Sequence, residues 1–204
     1  MFVHDNGNLA VLANSRCGHQ SMYEYFNLPV EPELKDKTDQ WIASSNPKVL
    51  VLRNPIERMW SGIGLYDLYA KPVITTYDAA KAKGLDKSDQ INGYKFASLF
   101  ANEETRYERM QEIIFKGHCA PYLNKIEDAD IEYQIIDFNE LANYIPLAYR
   151  TNVTNCNNKT LNGFIENDIF TKEDILKEYD TYRRILSTKA IISVNDWKRL
   201  TIVD

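Results

Sequence analysis

The sequence predicts one α/β domain in which helices flank a short, mainly parallel sheet in three layers, and three observations support this. Residues 9–13 (LAVLA) are continuously hydrophobic, and in the second run, residues 48–52 (KVLVL), every residue after Lys48 is hydrophobic, as in strands buried on both faces. Each run is followed by a polar loop and a helical pattern, which is typical of a parallel sheet. The 204 residues contain no internal repeat or low-complexity linker, so we expect a single domain over residues 1–204.

The other elements are predicted in chain order around these two strands. Residues 2–4 (FVH) precede a turn at 5–8 (DNGN), so the first two strands should form an N-terminal hairpin. A third buried strand at 132–136 (EYQII) would complete a sheet of about four or five strands. Helices are expected at residues 21–26, 56–69 and 139–144, and from the capping residue Thr171 to Leu186.

Composition excludes several classes of protein. Apolar residues make up 44% of the chain and charged residues 26%, as in a globular protein with a core. Twenty-four basic and twenty-nine acidic side chains give a net charge of −5, which argues against a nucleic-acid binder. No apolar run approaches the roughly 20 residues that span a bilayer, and the first residues lack signal-peptide features, so we expect a cytoplasmic protein without membrane association. The three cysteines indicate neither a disulfide framework nor a zinc site.

The loop after the first buried strand, residues 14–22 (NSRCGHQSM), has the residue types of an anion-binding loop. A loop between a strand and a helix directs several backbone N–H groups to one point, which suits phosphate or sulfate. Gly18 allows close approach of the backbone, Arg16 offers a planar cation and Ser21 a hydroxyl donor. The pattern G-x-x-x-x-G-K-[ST] is absent, which disfavours a magnesium-dependent triphosphatase. The alternative is an ordinary strand-to-helix turn with a surface arginine.

A second loop, residues 53–61 (RNPIERMWS), follows the strand at 48–52. Arg53 leaves the carboxyl end of that strand, where α/β sheets bind ligands. Ser61 lies on the following helix and would share a phosphate with Arg53 if the helix folds back beside the strand end. Arg58 precedes Ser61 by three residues on a similar helical face. The alternative is a structural turn in which Arg58 pairs with a carboxylate.

Together the loops resemble those of sulfotransferases that use 3′-phosphoadenosine 5′-phosphosulfate (PAPS), especially carbohydrate sulfotransferases and their small microbial and viral relatives. In that family a P-K-x-G-[ST]-[ST]-S-[LM] loop holds the 5′-phosphosulfate, and residues 15–22 (SRCGHQSM) take its place here. The family's R-[DN]-P-x-x-R-x-x-S loop holds the 3′-phosphate and is matched by residues 53–61. Weaker likeness occurs at residues 117–122, 133–141, 151–154 and 179–185. The family's loop lysine is Arg16 here, and its two Ser/Thr residues are His19 and Gln20.

The resemblance implies a P-loop-like fold and an enzyme that moves a sulfuryl group from PAPS to a hydroxyl or amine, with a carbohydrate as the expected acceptor. The residues implied in PAPS binding are Arg16, Cys17, Gly18, His19, Gln20, Ser21, Met22, Arg53, Ser61 and Asn152. Arg16 and Ser21 would hold the 5′-phosphosulfate, and Arg53 and Ser61 the 3′-phosphate. Arg16 would also be catalytic by stabilising charge on the leaving group, although arginine is a poor acid. No metal is expected, because catalysis by positioning and charge stabilisation suffices.

The general base that would deprotonate the acceptor is left open by the sequence. His118 is the first candidate, with a structural histidine as its alternative. His19 lies inside the first loop, where contact with the sulfuryl group and loop capping are both open. The family also places its base after the first helix, where the chain offers three carboxylates: Glu31, Glu33 and Asp39.

The acceptor is expected to bind in the variable, mostly helical region at residues 71–116, where tyrosines would stack on sugar rings or pack in the protein. Two other hypotheses stay open. One is a nucleotide-binding protein of the same fold without transfer activity, because Arg16 replaces the lysine. The other is a P-loop nucleotide kinase, which would require magnesium and ATP.

Overall fold

A four-stranded sheet forms the centre of the fold. The structure is a computed structural model that describes residues 2–28, 37–65, 120–146 and 171–201. Its strands are β1 (Phe2–Asp5), β2 (Ala10–Ala13), β3 (Lys48–Leu52) and β4 (Gln134–Asp137), in the order β1-β2-β3-β4. β1 pairs antiparallel with β2, whereas β2–β3 and β3–β4 are parallel pairs. The α/β class is therefore confirmed, with a sheet that is mixed because the N-terminal hairpin supplies one edge.

Helices surround the sheet. They are α1 (His19–Tyr25), α2 (Thr38–Ala43), α3 (Pro55–Leu65), α4 (Leu123–Asp128), α5 (Leu141–Tyr144), α6 (Lys172–Thr188) and α7 (Val194–Thr201), with a 3₁₀ turn at Phe138–Glu140 before α5. The sequence patterns predict α1, α3, α5 and α6 but not α2, α4 and α7. Helices this short are stabilised mainly by packing, and Trp41 of α2, Leu123 of α4 and Trp197 of α7 are each fully buried.

Both faces of the sheet are covered, because alternate residues of β2 and β3 point to opposite sides. One core contains Val11, Val49, Met22, Tyr144 and Trp197, from the two strands and from α1, α5 and α7. The other contains Leu12, Leu50, Trp41, Leu123 and Ile185, from the strands and from α2, α4 and α6. Burial on both faces explains why β2 is apolar throughout and β3 is apolar after Lys48.

Local hydrogen bonds confirm two turn and cap predictions. In the hairpin turn, the Asn6 side-chain oxygen accepts hydrogen bonds from the backbone N–H groups of Asn8 and Leu9, both at 2.9 Å. At the start of α6, Thr171 Oγ1 accepts a hydrogen bond from the Asp174 backbone, and the Asp174 carboxylate accepts one from the Thr171 backbone. Both segments are thus shaped by side chains that the sequence marks as turn and cap residues.

The parallel register brings three strand ends to one edge of the sheet. Ala13 of β2 pairs with Val51 of β3, and Leu52 of β3 pairs with Asp137 of β4. The loops that follow β2, β3 and β4 therefore start side by side, at the edge where α/β sheets hold ligands. No helix within the described ranges is long and apolar enough to cross a membrane. The expected acceptor region at 71–116 and the end of the helix predicted to residue 69 lie outside the described residues.

Candidate functional site

The first loop leaves β2 in a tight turn with two left-handed residues. The Asn14 carbonyl oxygen accepts a hydrogen bond from the Cys17 backbone at 2.9 Å, and the Asn14 side chain accepts one from the Ser15 backbone at 2.6 Å. Arg16 has a φ of 66° and Gly18 a φ of 82°. A positive φ is costly for arginine, so the hydrogen bonds around the turn must hold it in that conformation.

Gly18 also lies against the connection that follows β4. A Cβ atom added at Gly18 would be 2.5 Å from Leu141 Cδ2 and 3.6 Å from Phe138 Cε2. No side chain fits at the first distance without displacement of Leu141, which is buried in the core. Gly18 is therefore required by backbone conformation and by close packing together. The close approach joins the loop after β2 to the segment after β4.

Arg53 connects all three strand ends. The residue directly follows β3 and is only 8% exposed. Its Nη1 donates a hydrogen bond to the Arg16 carbonyl oxygen at 2.5 Å, and its guanidinium carbon lies 4.3 Å from the centroid of the Phe138 ring. The carbonyl oxygen and the ring face orient the guanidinium without adding negative charge to it.

Ser61 receives the side chain of Arg16 across the two loops. Arg16 Nε and Nη2 donate to Ser61 Oγ at 3.0 and 2.9 Å, and Ser61 is 1% exposed. The helix that carries Ser61, α3, begins at Pro55, one residue before the predicted start, and the Asn54 side chain accepts a hydrogen bond from the Ile56 backbone at 2.9 Å. Asn54 thus fixes the direction of α3 and sets Ser61 beside the first loop.

The structure therefore brings together three of the predicted site residues, Arg16, Arg53 and Ser61, at one corner. We call this set the arginine–serine corner. Arg16 belongs to the first loop, and Arg53 and Ser61 of the second loop follow it by 37 and 45 residues. They converge because the parallel strands end at one edge, as the sequence hypothesis requires.

Arg58 belongs to the same motif but lies in the interior of the protein. It is 1% exposed, and its Nη2 lies 2.7 Å from the Ala120 carbonyl oxygen and 3.5 Å from Glu178 Oε1. Glu178 Oε1 also accepts hydrogen bonds from the Tyr122 and Leu123 backbones at 3.2 and 3.4 Å. One part of the alternative interpretation, the pairing of Arg58 with a carboxylate, is therefore observed. This buried pair joins α3, α6 and the start of α4.

Glu178 was not found by sequence analysis, although a signal exists. It is fully buried and shares one face of α6 with Ile175, Tyr182 and Ile185, spaced three or four residues apart. A carboxylate within an apolar stripe predicts a buried cationic partner. Burial raises the pKa of Glu178 to about 7, opposed by Arg58 and the two backbone N–H groups.

Cys17 and Met22 do not present their side chains at the corner. The Cys17 thiol is fully buried 3.9 Å from the Tyr122 hydroxyl, and burial raises its pKa. Met22 is fully buried in the core beneath the first loop. Any contact of these two residues with a ligand in the loop would have to come from the backbone.

The remaining residues of the first loop lie in the first turn of α1. Burial, followed by nearby positive charge that includes Arg16, lowers the pKa of His19 to about 4. His19 is therefore neutral at pH 7 and offers one hydrogen-bond donor and one acceptor there rather than a charge. Gln20 follows it, partly exposed, and Ser21 is buried.

The candidates for a general base are only partly described. Asp39, in the first turn of α2, is exposed and pairs with Lys125 at 2.9 Å. His118, Glu31 and Glu33 lie outside the described residues, as does Asn152, which the resemblance assigns to the nucleotide. Among the residues that are described, no group of three or more His, Cys, Asp or Glu side chains is arranged to hold a metal ion.

Comparison with family models, with curated proteins and with solved structures gives no match to this chain. The functional interpretation therefore depends on the residues themselves and on their arrangement at the three strand ends.

Proposed function

We propose that the chain is a PAPS-dependent sulfotransferase with a P-loop-like fold, in which the arginine–serine corner holds a phosphate of the donor nucleotide. The observation that carries the proposal is the convergence of Arg16, Arg53 and Ser61 from two loops that both resemble PAPS-binding loops. Two guanidinium groups and a hydroxyl are suited to the charge and oxygen geometry of a phosphate. The nucleotide would thus bind where the parallel strands end.

In the proposed reaction, an acceptor oxygen forms a bond to sulfur as the bond from sulfur to the 5′-phosphate oxygen breaks. The acceptor's proton passes to a base, and adenosine 3′,5′-bisphosphate leaves. The chain's part is to hold the donor in line and to stabilise negative charge on the leaving phosphate. A carbohydrate hydroxyl is the acceptor that the resemblance favours.

A second function, nucleotide binding without transfer, is favoured by one observation. The guanidinium of Arg16 points to Ser61, and an arginine side chain stays protonated in proteins, so it does not donate a proton to the leaving group. A chain of the same fold could then bind the bisphosphate and transfer nothing.

Calorimetry with adenosine 3′,5′-bisphosphate tests the nucleotide site. We expect the wild-type protein to bind and Arg53→Ala to weaken binding by about tenfold to a hundredfold, the loss typical of a charged hydrogen bond. Arg184→Ala is the matched control, because Arg184 is an exposed arginine on α6 that pairs with Glu127. Absence of binding by the wild type, or equal binding by Arg53→Ala, would contradict the proposal.

A transfer assay then separates the two functions. The wild-type protein is incubated with PAPS carrying radiolabelled sulfate and a panel of neutral and weakly charged glycans. Label on a glycan supports the sulfotransferase, whereas bisphosphate binding without transfer to any acceptor supports the second function. Binding of ATP that requires magnesium and tolerates Arg53→Ala would instead indicate a nucleotide kinase.

A further inference from the structure

The side chain of Arg16 reaches a different loop from the one that carries it. By its place in the sequence, Arg16 is expected to hold the 5′-phosphosulfate with Ser21. In the structure its Nε and Nη2 both donate to Ser61 Oγ, at 3.0 and 2.9 Å, and Ser61 belongs to the second loop. The Nε–Nη2 edge is a side of the guanidinium that can pair with two phosphate oxygens. Arg16 thus directs an anion-binding edge toward the group assigned to the 3′-phosphate.

The backbone holds Arg16 in this orientation. The residue has a left-handed φ of 66°, and its carbonyl oxygen accepts the hydrogen bond from Arg53 Nη1. Rotation of the peptide group would break that hydrogen bond. Arg16 and Arg53 are therefore linked, and the side chain of Arg16 reaches Ser61 from a backbone position that Arg53 helps to fix.

The concentration of charge on one group favours a terminal phosphate over a phosphosulfate at this point. A phosphate monoester carries close to two negative charges at pH 7, because its second pKa is about 6. In a phosphosulfate an ester bond and an anhydride bond occupy two sides of the phosphate, so the phosphate and the sulfate carry about one negative charge each. Two guanidinium groups with a buried hydroxyl match the monoester better, and in PAPS that monoester is the 3′-phosphate.

We infer that Arg16 is a specificity-determining residue for the 3′-phosphate, which it binds together with Arg53 and Ser61. The inference rests on the proposed function, since it assumes a nucleotide at this corner. It assigns three side chains to one end of the donor instead of two to each end. Selectivity for a 3′-phosphorylated adenosine would then depend on an arginine of the first loop.

The test compares two ligands that differ only in the 3′-phosphate. Binding of adenosine 3′,5′-bisphosphate and of adenosine 5′-monophosphate is measured for the wild type, Arg16→Ala and Arg16→Lys by ligand-observed NMR, which detects millimolar dissociation constants. We expect Arg16→Ala to weaken bisphosphate binding by about tenfold or more and monophosphate binding by less than about twofold. Arg16→Lys should keep part of the preference for the bisphosphate over the monophosphate, because lysine keeps the charge but not the paired donors.

Each outcome decides one question. Equal weakening of both ligands by Arg16→Ala would overturn the inference while leaving the proposed function standing. A wild-type protein that does not prefer the bisphosphate would overturn the proposed function itself. The double variant with Arg16→Ala and Ser61→Ala should weaken bisphosphate binding by less than the product of the factors for the two single variants, because both side chains act on the same phosphate. If Arg16→Ala fails to fold, the ratio of the two dissociation constants for Arg16→Lys decides the same question.

Discussion

Two regions that depend on arginine lie along the helix α3. Ser61 accepts hydrogen bonds from Arg16 at the arginine–serine corner, and Arg58, three residues earlier, meets Glu178 in the interior. Arg58 lies beside a carboxylate that offsets its charge, which is what a fully buried cation requires. At the corner, the contacts that join Arg16 and Arg53 to the loops are made with a hydroxyl, a carbonyl oxygen and a ring, none of which adds negative charge.

The difference teaches how one motif serves two purposes. Arg53, Arg58 and Ser61 belong to the same nine residues, yet one arginine joins helices and the other lies at the strand ends. Arg58 meets the buried carboxylate of Glu178, which offsets its charge, whereas Arg53 donates to the Arg16 carbonyl oxygen at the strand ends. Mutations on the Arg58 side should therefore affect stability, and mutations at the corner should affect ligand binding.

The largest effect is expected from Arg58→Ala. The change leaves Glu178 buried beside two backbone N–H groups without its cation, so we expect the free energy of unfolding to fall by about 3–5 kcal/mol. Urea denaturation measures this. Arg184→Ala, which removes an exposed ion pair with Glu127, should change stability little. The contrast between the two regions would be wrong if both variants lost the same stability.

Glu178, beside Arg58, and His19, in the first loop, should make the free energy of unfolding depend on pH in opposite directions. Burial raises the pKa of Glu178 from 4.5 to about 7, so its contribution to stability is fully present below pH 4.5 and is lost as the pH rises through 7. The pKa of His19 is lowered from 6.5 to about 4, so its contribution is present above pH 6.5 and is lost as the pH falls through 4.

Single substitutions at Glu178 and at His19 separate the two changes of stability with pH. Relative to the wild type, Glu178→Gln should gain stability as the pH rises from 4.5 to 7, and His19→Gln should gain it as the pH falls from 6.5 to 4. Each difference is on the order of 2–3 kcal/mol. Urea midpoints at several pH values measure both curves. A Glu178→Gln curve parallel to that of the wild type would show that folding does not raise the pKa of Glu178.

Much of the fold follows from local patterns, and the exceptions have a physical reason. The strand at Lys48–Leu52 coincides with its apolar run, and the capping pair at Thr171 and Asp174 marks the start of α6. The short helices α2, α4 and α7 carry no comparable signal, because each is stabilised by one or two residues that reach the core, such as Trp41 and Trp197. Their contacts come from distant parts of the chain.

The members of the arginine–serine corner follow from the two predicted loops, but their pairing does not. The two loops indicated an anion site through Arg16, Arg53 and Ser61. That Arg16 contacts Ser61 depends on its left-handed backbone and on the hydrogen bond from Arg53, and neither follows from residue spacing. The pairing of Arg58 with Glu178 spans 120 residues, so only tertiary structure could identify the partner.

Gly18→Ala should test how the first loop packs beside the arginine–serine corner without changing any charge. The two glycines have similar positive φ angles, 82° at Gly18 and 85° at Gly7. A methyl group added at Gly18 would lie 2.5 Å from a Leu141 carbon, whereas one added at Gly7 would have no atom within 4 Å. Backbone strain of about 1–2 kcal/mol is common to both. We expect Gly18→Ala to cost about 1 kcal/mol or more beyond Gly7→Ala, because Leu141 must move.

The same matched pair links packing to ligand binding. Displacement of the first loop should weaken bisphosphate binding in Gly18→Ala and leave it unchanged in Gly7→Ala, because Gly18 adjoins Arg16 whereas Gly7 lies in the hairpin turn. Urea denaturation and calorimetry of the two variants measure both effects. Equal stability losses would mean that the loop after β2 does not pack against the segment after β4, since that contact is what distinguishes the two glycines.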